Sequence, residues 1–181
     1  RNYLVQGTPL PFQGSWSFYM GNNPQADGTP YARQGLTWQR LERLPLRQGI
    51  TEPAAKGAFY LREAMHFMRE QPAAYFSLLY RKLRLFWHAN EIPVSADLRY
   101  YERHARLARV LLLDFGIAVP FALAGMAWCW DRRRELFLLH GFVLAYLASG
   151  LLFSVCDRYR LPAVPFLLIF SACGIWQLRQ L

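Results

Sequence analysis

Acidic side chains are scarce in this chain. Asp and Glu number 12 against 21 Lys and Arg in 181 residues, for a formal charge of +9. An imbalance of that sign favours anionic partners, nucleic acid or anionic lipid. Phosphate-cradling loops are missing: neither G-x-x-x-x-G-K-[ST] nor G-x-G-x-x-G occurs. That argues against recognition of ATP or a nucleotide sugar by a loop of that kind. The G-x-S-x-G elbow of serine hydrolases is absent too,. Cysteine is sparse, with Cys129, Cys156 and Cys173 forming an odd set without a C-x-x-C spacing. Two of them sit inside apolar runs, so they read as small buried hydrophobes and not as a metal site or disulfide framework. The chain begins at Arg1 without a signal-peptide pattern, and the expectation is a fragment of a longer protein.

Apolar residues make up 54% of the chain and charged residues 18%, yet mean hydropathy is only +0.04. The average conceals a division. Residues 1–106 are mixed and polar, rich in Gly, Pro and Arg, whereas residues 107–181 keep their charge mainly in short clusters between apolar runs. Three apolar segments follow one another: Val110–Trp130, Leu136–Cys156 and Leu161–Leu178. A helix needs roughly 17 to 25 apolar residues to cross a hydrocarbon core. The expected fold is therefore mainly α, with three C-terminal transmembrane helices and a preceding extracytoplasmic helix-and-loop region. A soluble helical bundle with unusually apolar helices is the alternative.

The connectors orient the segments. Asp131-Arg132-Arg133-Arg134-Glu135 is a tight basic turn flanked by Trp128 and Trp130. Short basic loops stay in the cytoplasm, which places Arg132–Arg134 inside and Asp157-Arg158-Tyr159-Arg160 outside. By parity, residues 1–106 are extracytoplasmic. Their own basic charge opposes this, but long domains translocate largely regardless of charge. Lipid phosphates are then the natural counter-charge, and no nucleic-acid-binding fingerprint is present.

In the polar half, Gly, Asn and Pro mark turns from Thr8 to Pro30,. Trp16, Phe18 and Tyr19 alternate toward Gly21 and suggest a short strand or aromatic rim. Two helices are expected next. Thr51 caps the first with Pro53 in its first turn, and Ala58, Leu61, Met65 and Met68 form its apolar face. Pro72 opens the second, with Phe76, Leu79, Leu83 and Phe86 on one side and Arg81, Lys82 and Arg84 on the other. Such a basic amphipathic helix fits a membrane interface or an ordinary solvated face equally well. Structure breaks over Ala89–Asp97 before a further stretch, Leu98–Arg109.

Three stretches together carry a family resemblance. Phe18 to Gly28 reads FYMGNNPQADG and resembles a "NFYIGNNPxAxG" pattern. Trp87 to Pro93, WHANEIP, resembles "FW-x-x-x-E-I-P", and Arg158 to Pro165, RYRLPAVP, resembles "RYRLPxxP". In this order and spacing the chain resembles bacterial membrane glycosyltransferases of the GT-C superfamily, in the protein-mannosyltransferase-like branch. The resemblance implies a polyprenyl-phosphate-linked sugar donor and a glycan, lipid or protein acceptor on the extracytoplasmic face of a bacterial inner membrane. It also implies a catalytic Asp in a first outer loop upstream of Arg1, so no catalytic residue is assigned here and this fragment alone is expected to be inactive. No cofactor is assigned; a divalent metal stays open, with no ligand set for one visible in the sequence.

Arg158 and Arg160 are the leading site residues, since guanidinium groups suit bidentate phosphate binding. One of them is expected to hold the donor phosphate and stabilise charge on the departing carrier. Snorkelling at the interface is the plain alternative. Asp114 lies about one turn inside the first apolar segment, where a carboxylate needs a partner, and is expected to pair with one of those arginines. Tyr159 supports the same end. Glu91 and Asn90 enter through the resemblance as residues lining the donor or acceptor site. Asn22 and Asn23 are candidates for sugar hydroxyls, although turn formation accounts for them as well. His140 is expected to pack against a neighbouring helix. The competing functions are a non-catalytic membrane subunit and a polymerase or ligase, both handling lipid-linked glycans.

Overall fold

The structure is a computed structural model and describes residues 12–30, 36–88 and 115–180. Asn90, Glu91, Asp114 and the stretch Leu98–Arg109 lie outside the described residues. Among the described residues every regular element is helical: α1 Phe12–Gly21, α2 Leu36–Glu42, α3 Leu44–Arg47, α4 Pro53–Glu70, α5 Pro72–Trp87, α6 Phe115–Trp128, α7 Phe137–Leu152, α8 Asp157–Arg160 and α9 Val164–Leu178. The chain is thus mainly α. Packing groups it into two compact units, one of Arg1–Lys82 with Leu151–Val155 and one of Leu83–Gly150 with Cys156–Leu181. This is a division by contact, whereas the boundary at residue 106 is one of composition.

The first unit is built on α1 packed against α4. Trp16, Tyr19 and Met20 meet Phe59, Tyr60 and Ala64 in a core that includes Leu41. Trp16 and Tyr60 pack edge to face with ring centroids 4.6 Å apart, and Tyr19 lies 5.3 Å from Tyr60. The expected short strand is therefore a helix. Positions 16, 19 and 20 follow helical spacing, and Phe18 packs at the edge of that core while its ring meets Phe153 at 6.0 Å. The period-two reading took two sides of a helix for two faces of a strand.

Helix α4 starts at Pro53 as expected, but its N-cap is Glu52, not Thr51, and no side chain caps it. Its buried side is Gly57, Tyr60, Ala64 and Phe67, with Phe59 alongside. The expected face of Ala58, Leu61, Met65 and Met68 is one residue out of phase; Ala58 and Met65 are exposed. The aromatic rings of α1 select the side of α4 that offers Tyr60 and small residues. Likewise, Pro72 opens α5, but its buried stripe is Leu78, Lys82 and Phe86, while Phe76 and Leu83 are exposed. Lys82 is fully buried and does not belong to the solvated side with Arg81 and Arg84.

In the second unit α6 crosses α9 at backbone contact. A Cβ on Gly125 would overlap the Phe170 carbonyl, and one on Gly174 would overlap that of Phe121. Ser171 ties the crossing by donating from Oγ to the Ala118 carbonyl at 2.7 Å. Ala122, Val143, Leu167 and Phe170 form the core. His140 is buried there as well, with Nδ1 3.1 Å from the Leu136 carbonyl and its ring 4.6 Å from that of Phe170. The basic turn after α6 is tight: Arg133 N bonds Trp130 O and Glu135 N bonds Arg132 O. Ile117, Leu123, Phe137, Leu138, Leu144, Ile169 and Trp176 point outward on α6, α7 and α9. Small and polar residues thus sit at the closest approach of the two helices, beside the Leu167 and Phe170 core, and further large apolar residues lie on the periphery.

Among the described residues one helix is long and apolar enough to cross a membrane. It covers Arg158–Leu178, 21 residues in which the 3-10 turn Leu161–Ala163 joins α8 to α9, or about 31 Å at 1.5 Å per residue. The expected third segment therefore begins earlier than Leu161. The stretch Asp157–Arg160 is helical rather than a connector, and Pro162 and Pro165 fall in opening turns, where a missing N–H costs little. The expected second segment is shorter: α7 has 16 residues and stops at Leu152 rather than Cys156. Its last carbonyls, at Leu151 and Leu152, belong to the first unit and accept side-chain hydrogen bonds within it, described below. Of the expected first segment, Phe115–Trp128 is helical and Trp130 sits in the 3-10 turn Cys129–Arg132.

Candidate functional site

The last carbonyls of a helix have no partner within it, and polar groups must be supplied from elsewhere. This chain supplies them from distant side chains at three helix C-termini. The first is modest: Tyr60 Oη, with one proton to donate, lies 3.0 Å from the Glu42 carbonyl and 3.3 Å from that of Leu41 at the end of α2. Burial, and next the charge of Glu42, push the Tyr60 hydroxyl upward in pKa.

The second lies in the first unit and carries Asn22. Asn22 is fully buried. Its Nδ2 donates to Phe18 O at 2.8 Å and to Leu152 O at 2.7 Å. Its Oδ1 accepts from Lys82 Nζ at 3.0 Å, and the same ammonium donates to Leu151 O at 2.9 Å. Lys82 and Asn22 together therefore close the end of α7. Burial pulls the Lys82 ammonium down to about 8. Asn23 turns the chain instead: its Nδ2 donates to Tyr19 O and Met20 O, and its Oδ1 accepts from Gln25 N at 2.9 Å. Both amide protons of each Asn are thus taken by backbone carbonyls. Their role in the NNP turn is side-chain hydrogen bonding, not left-handed backbone, since no described non-glycine residue has positive φ.

The third clamp lies in the second unit and carries Arg160, at the head of the long apolar helix. Arg160 is buried. Its Nη1 donates to His88 O at 2.8 Å and Phe86 O at 3.2 Å, with Leu85 O at 3.5 Å. Its guanidinium lies 4.4 Å above the Phe115 ring. An arginine plane suits this double duty, satisfying carbonyls at its edge and an aromatic at its face. Two residues earlier, Arg158 is exposed, as is Tyr159. The arginines expected to act alike are thus divided: Arg160 anchors the end of α5, and Arg158 presents its charge outward. Asp114, Asn90 and Glu91 lie outside the described residues.

Sequence reasoning missed Lys82 and Tyr60. A signal for Lys82 existed, because it stands four residues from both Leu78 and Phe86 and so interrupts an apolar stripe. No group of three or more His, Cys, Asp or Glu side chains is placed to hold a metal among the described residues. Comparison with known proteins finds no matching family model, curated protein or solved structure.

Proposed function

We propose that this chain is the donor-binding part of an integral-membrane glycosyltransferase that moves a sugar from a polyprenyl-phosphate carrier to an extracytoplasmic acceptor. The observation that carries this reading is the division of labour at the head of the helix Arg158–Leu178: Arg160 is fixed among carbonyls while Arg158 and Tyr159 face outward. In this reading Arg160 fixes the head of the helix and the exposed Arg158 guanidinium lies at the depth of a lipid phosphate. There it would offset the negative charge that grows on the departing carrier.

The membrane setting is supported by the peripheral Ile, Leu, Phe and Trp side chains of α6, α7 and α9 and by small residues at the α6–α9 crossing, as in helix pairs within lipid. In this reading there are three spans. The Arg132–Arg134 turn is cytoplasmic, and the Arg158 end faces outward with the polar half. Asp114, one residue before Phe115, belongs to the proposal as a counter-charge of that end. In this reading no catalytic residue is assigned within residues 1–181.

The test is transfer by the natural full-length protein in proteoliposomes, offered a panel of polyprenyl-phosphate sugars and the corresponding nucleotide sugars. Release of polyprenyl phosphate coupled to sugar transfer is the expected result. Transfer from nucleotide sugars without a lipid carrier would overturn the proposal.

A further inference from the structure

The α6–α9 crossing places two thiols against each other. Cys129 follows Gly125 by four residues and Cys173 immediately precedes Gly174, the two glycines whose bare backbones let the helices meet. Although 44 positions apart in sequence, their sulfurs lie 2.8 Å from one another. Both are free thiols and only half-buried, whereas Cys156 is fully buried. A disulfide has an S–S length of about 2.05 Å, so bond formation asks for less than about 1 Å of approach. The exposed Arg132, Arg133 and Arg134 follow Cys129 by three to five residues, and such a basic cluster draws anionic reagents to it.

We propose that Cys129 and Cys173 are a modification site that takes an anionic low-molecular-weight disulfide and closes to an intramolecular cystine, locking α6 to α9. One thiol, as its thiolate, attacks a sulfur of the reagent R–S–S–R, forming a mixed disulfide and releasing R–S⁻, which takes up the proton the attacking thiol gave. The second thiol then loses its proton and attacks the protein sulfur of that mixed disulfide, expelling a second R–SH. Two protein thiols are oxidised and one reagent disulfide is reduced to two thiols, so atoms and electrons balance. The site is independent of the donor-binding proposal, since it uses none of that site's residues.

The test uses the full chain in membranes, equilibrated with glutathione disulfide against glutathione. It is then denatured, alkylated, digested and mapped by mass spectrometry, so that the buried Cys156 is counted as well. The expected result is a Cys129–Cys173 cross-linked peptide and a fall from three alkylatable thiols to one, Cys156. A Cys156→Ser variant is expected to close in the same way, and Cys129→Ser to leave Cys173 as a stable mixed disulfide. Retention of both alkylated peptides at the most oxidising ratio, persistent double glutathionylation, or pairing through Cys156 would each overturn the assignment.

Discussion

Replacing Arg160 by Ala removes the clamp at the end of α5. Nη1 reaches carbonyls at 2.8, 3.2 and 3.5 Å, but one nitrogen carries only two protons, so two bonds count. Bonds from a charged donor contribute about 1.5–3 kcal/mol each, and the stack on Phe115 adds about 1 kcal/mol. Relief of the buried guanidinium's desolvation offsets part of this, leaving a net loss of roughly 3 kcal/mol. For a chain of this size that corresponds to about 6–12 °C in melting temperature. Arg160→Lys should recover less than half, because an ammonium on a flexible stem neither stacks nor forks as a guanidinium does. Arg158→Ala is the internal control, since an exposed side chain without such contacts changes stability by about 0.5 kcal/mol or less. Thermal denaturation in detergent, followed by tryptophan fluorescence, reads all three. If Arg160→Ala melts within about 2 °C of Arg158→Ala, the clamp does not support the fold and the reasoning fails.

Three further outcomes follow from the same contacts. Gly125→Leu should destabilise the second unit by about 3 kcal/mol or more, because overpacking a close helix crossing forces the backbones apart; equilibrium unfolding checks it, and a neutral effect would refute the crossing. Asn22→Ala should cost about 2–4 kcal/mol by stranding the Lys82 ammonium and the α7 carbonyls, whereas an unchanged melt would exclude the network. Stability should also rise from pH 8 to 10. The folded Lys82 sits near 8 and an unfolded lysine near about 10.4, so the unfolded chain holds the extra proton across that window, at about 1.4 kcal/mol per unit. Above pH 10 the trend should reverse, because burial raises Tyr19 to about 12 and Tyr60 further, and the unfolded tyrosines ionise first. Lys82→Met should flatten the rise between pH 8 and 10 in melting curves; persistence of the full rise would assign it to another group.

Helix starts were legible where Pro53 and Pro72 marked them, because proline's fixed φ and missing N–H act locally. The tight basic turn Arg132–Arg134 was equally readable, being a break between two apolar runs. The phase of α4 was not, since both Ala58–Leu61–Met65 and Tyr60–Ala64–Phe67 make an apolar stripe, and only the rings of Trp16 and Tyr19 decide between them. The helix through Arg158 and Arg160 was hidden because charge and two nearby prolines imitate a connector. The split between those arginines depends on carbonyls 72 to 75 positions away in sequence, and the meeting of Cys129 and Cys173 on a crossing formed by two glycines. Local pattern reports neither.

The account rests most on Arg158 as the outward-facing phosphate ligand. The direct measurement is equilibrium binding of polyprenyl phosphate to the natural full-length protein, wild type against Arg158→Ala and Arg158→Lys, with folding verified by melting temperature. Loss of one charge-assisted phosphate contact, about 1.5–3 kcal/mol, predicts roughly 10- to 150-fold weaker binding for Arg158→Ala with an unchanged melt, and partial recovery with Lys. Equal affinity in wild type and Arg158→Ala would contradict the assignment and return this end of the helix to a purely structural role.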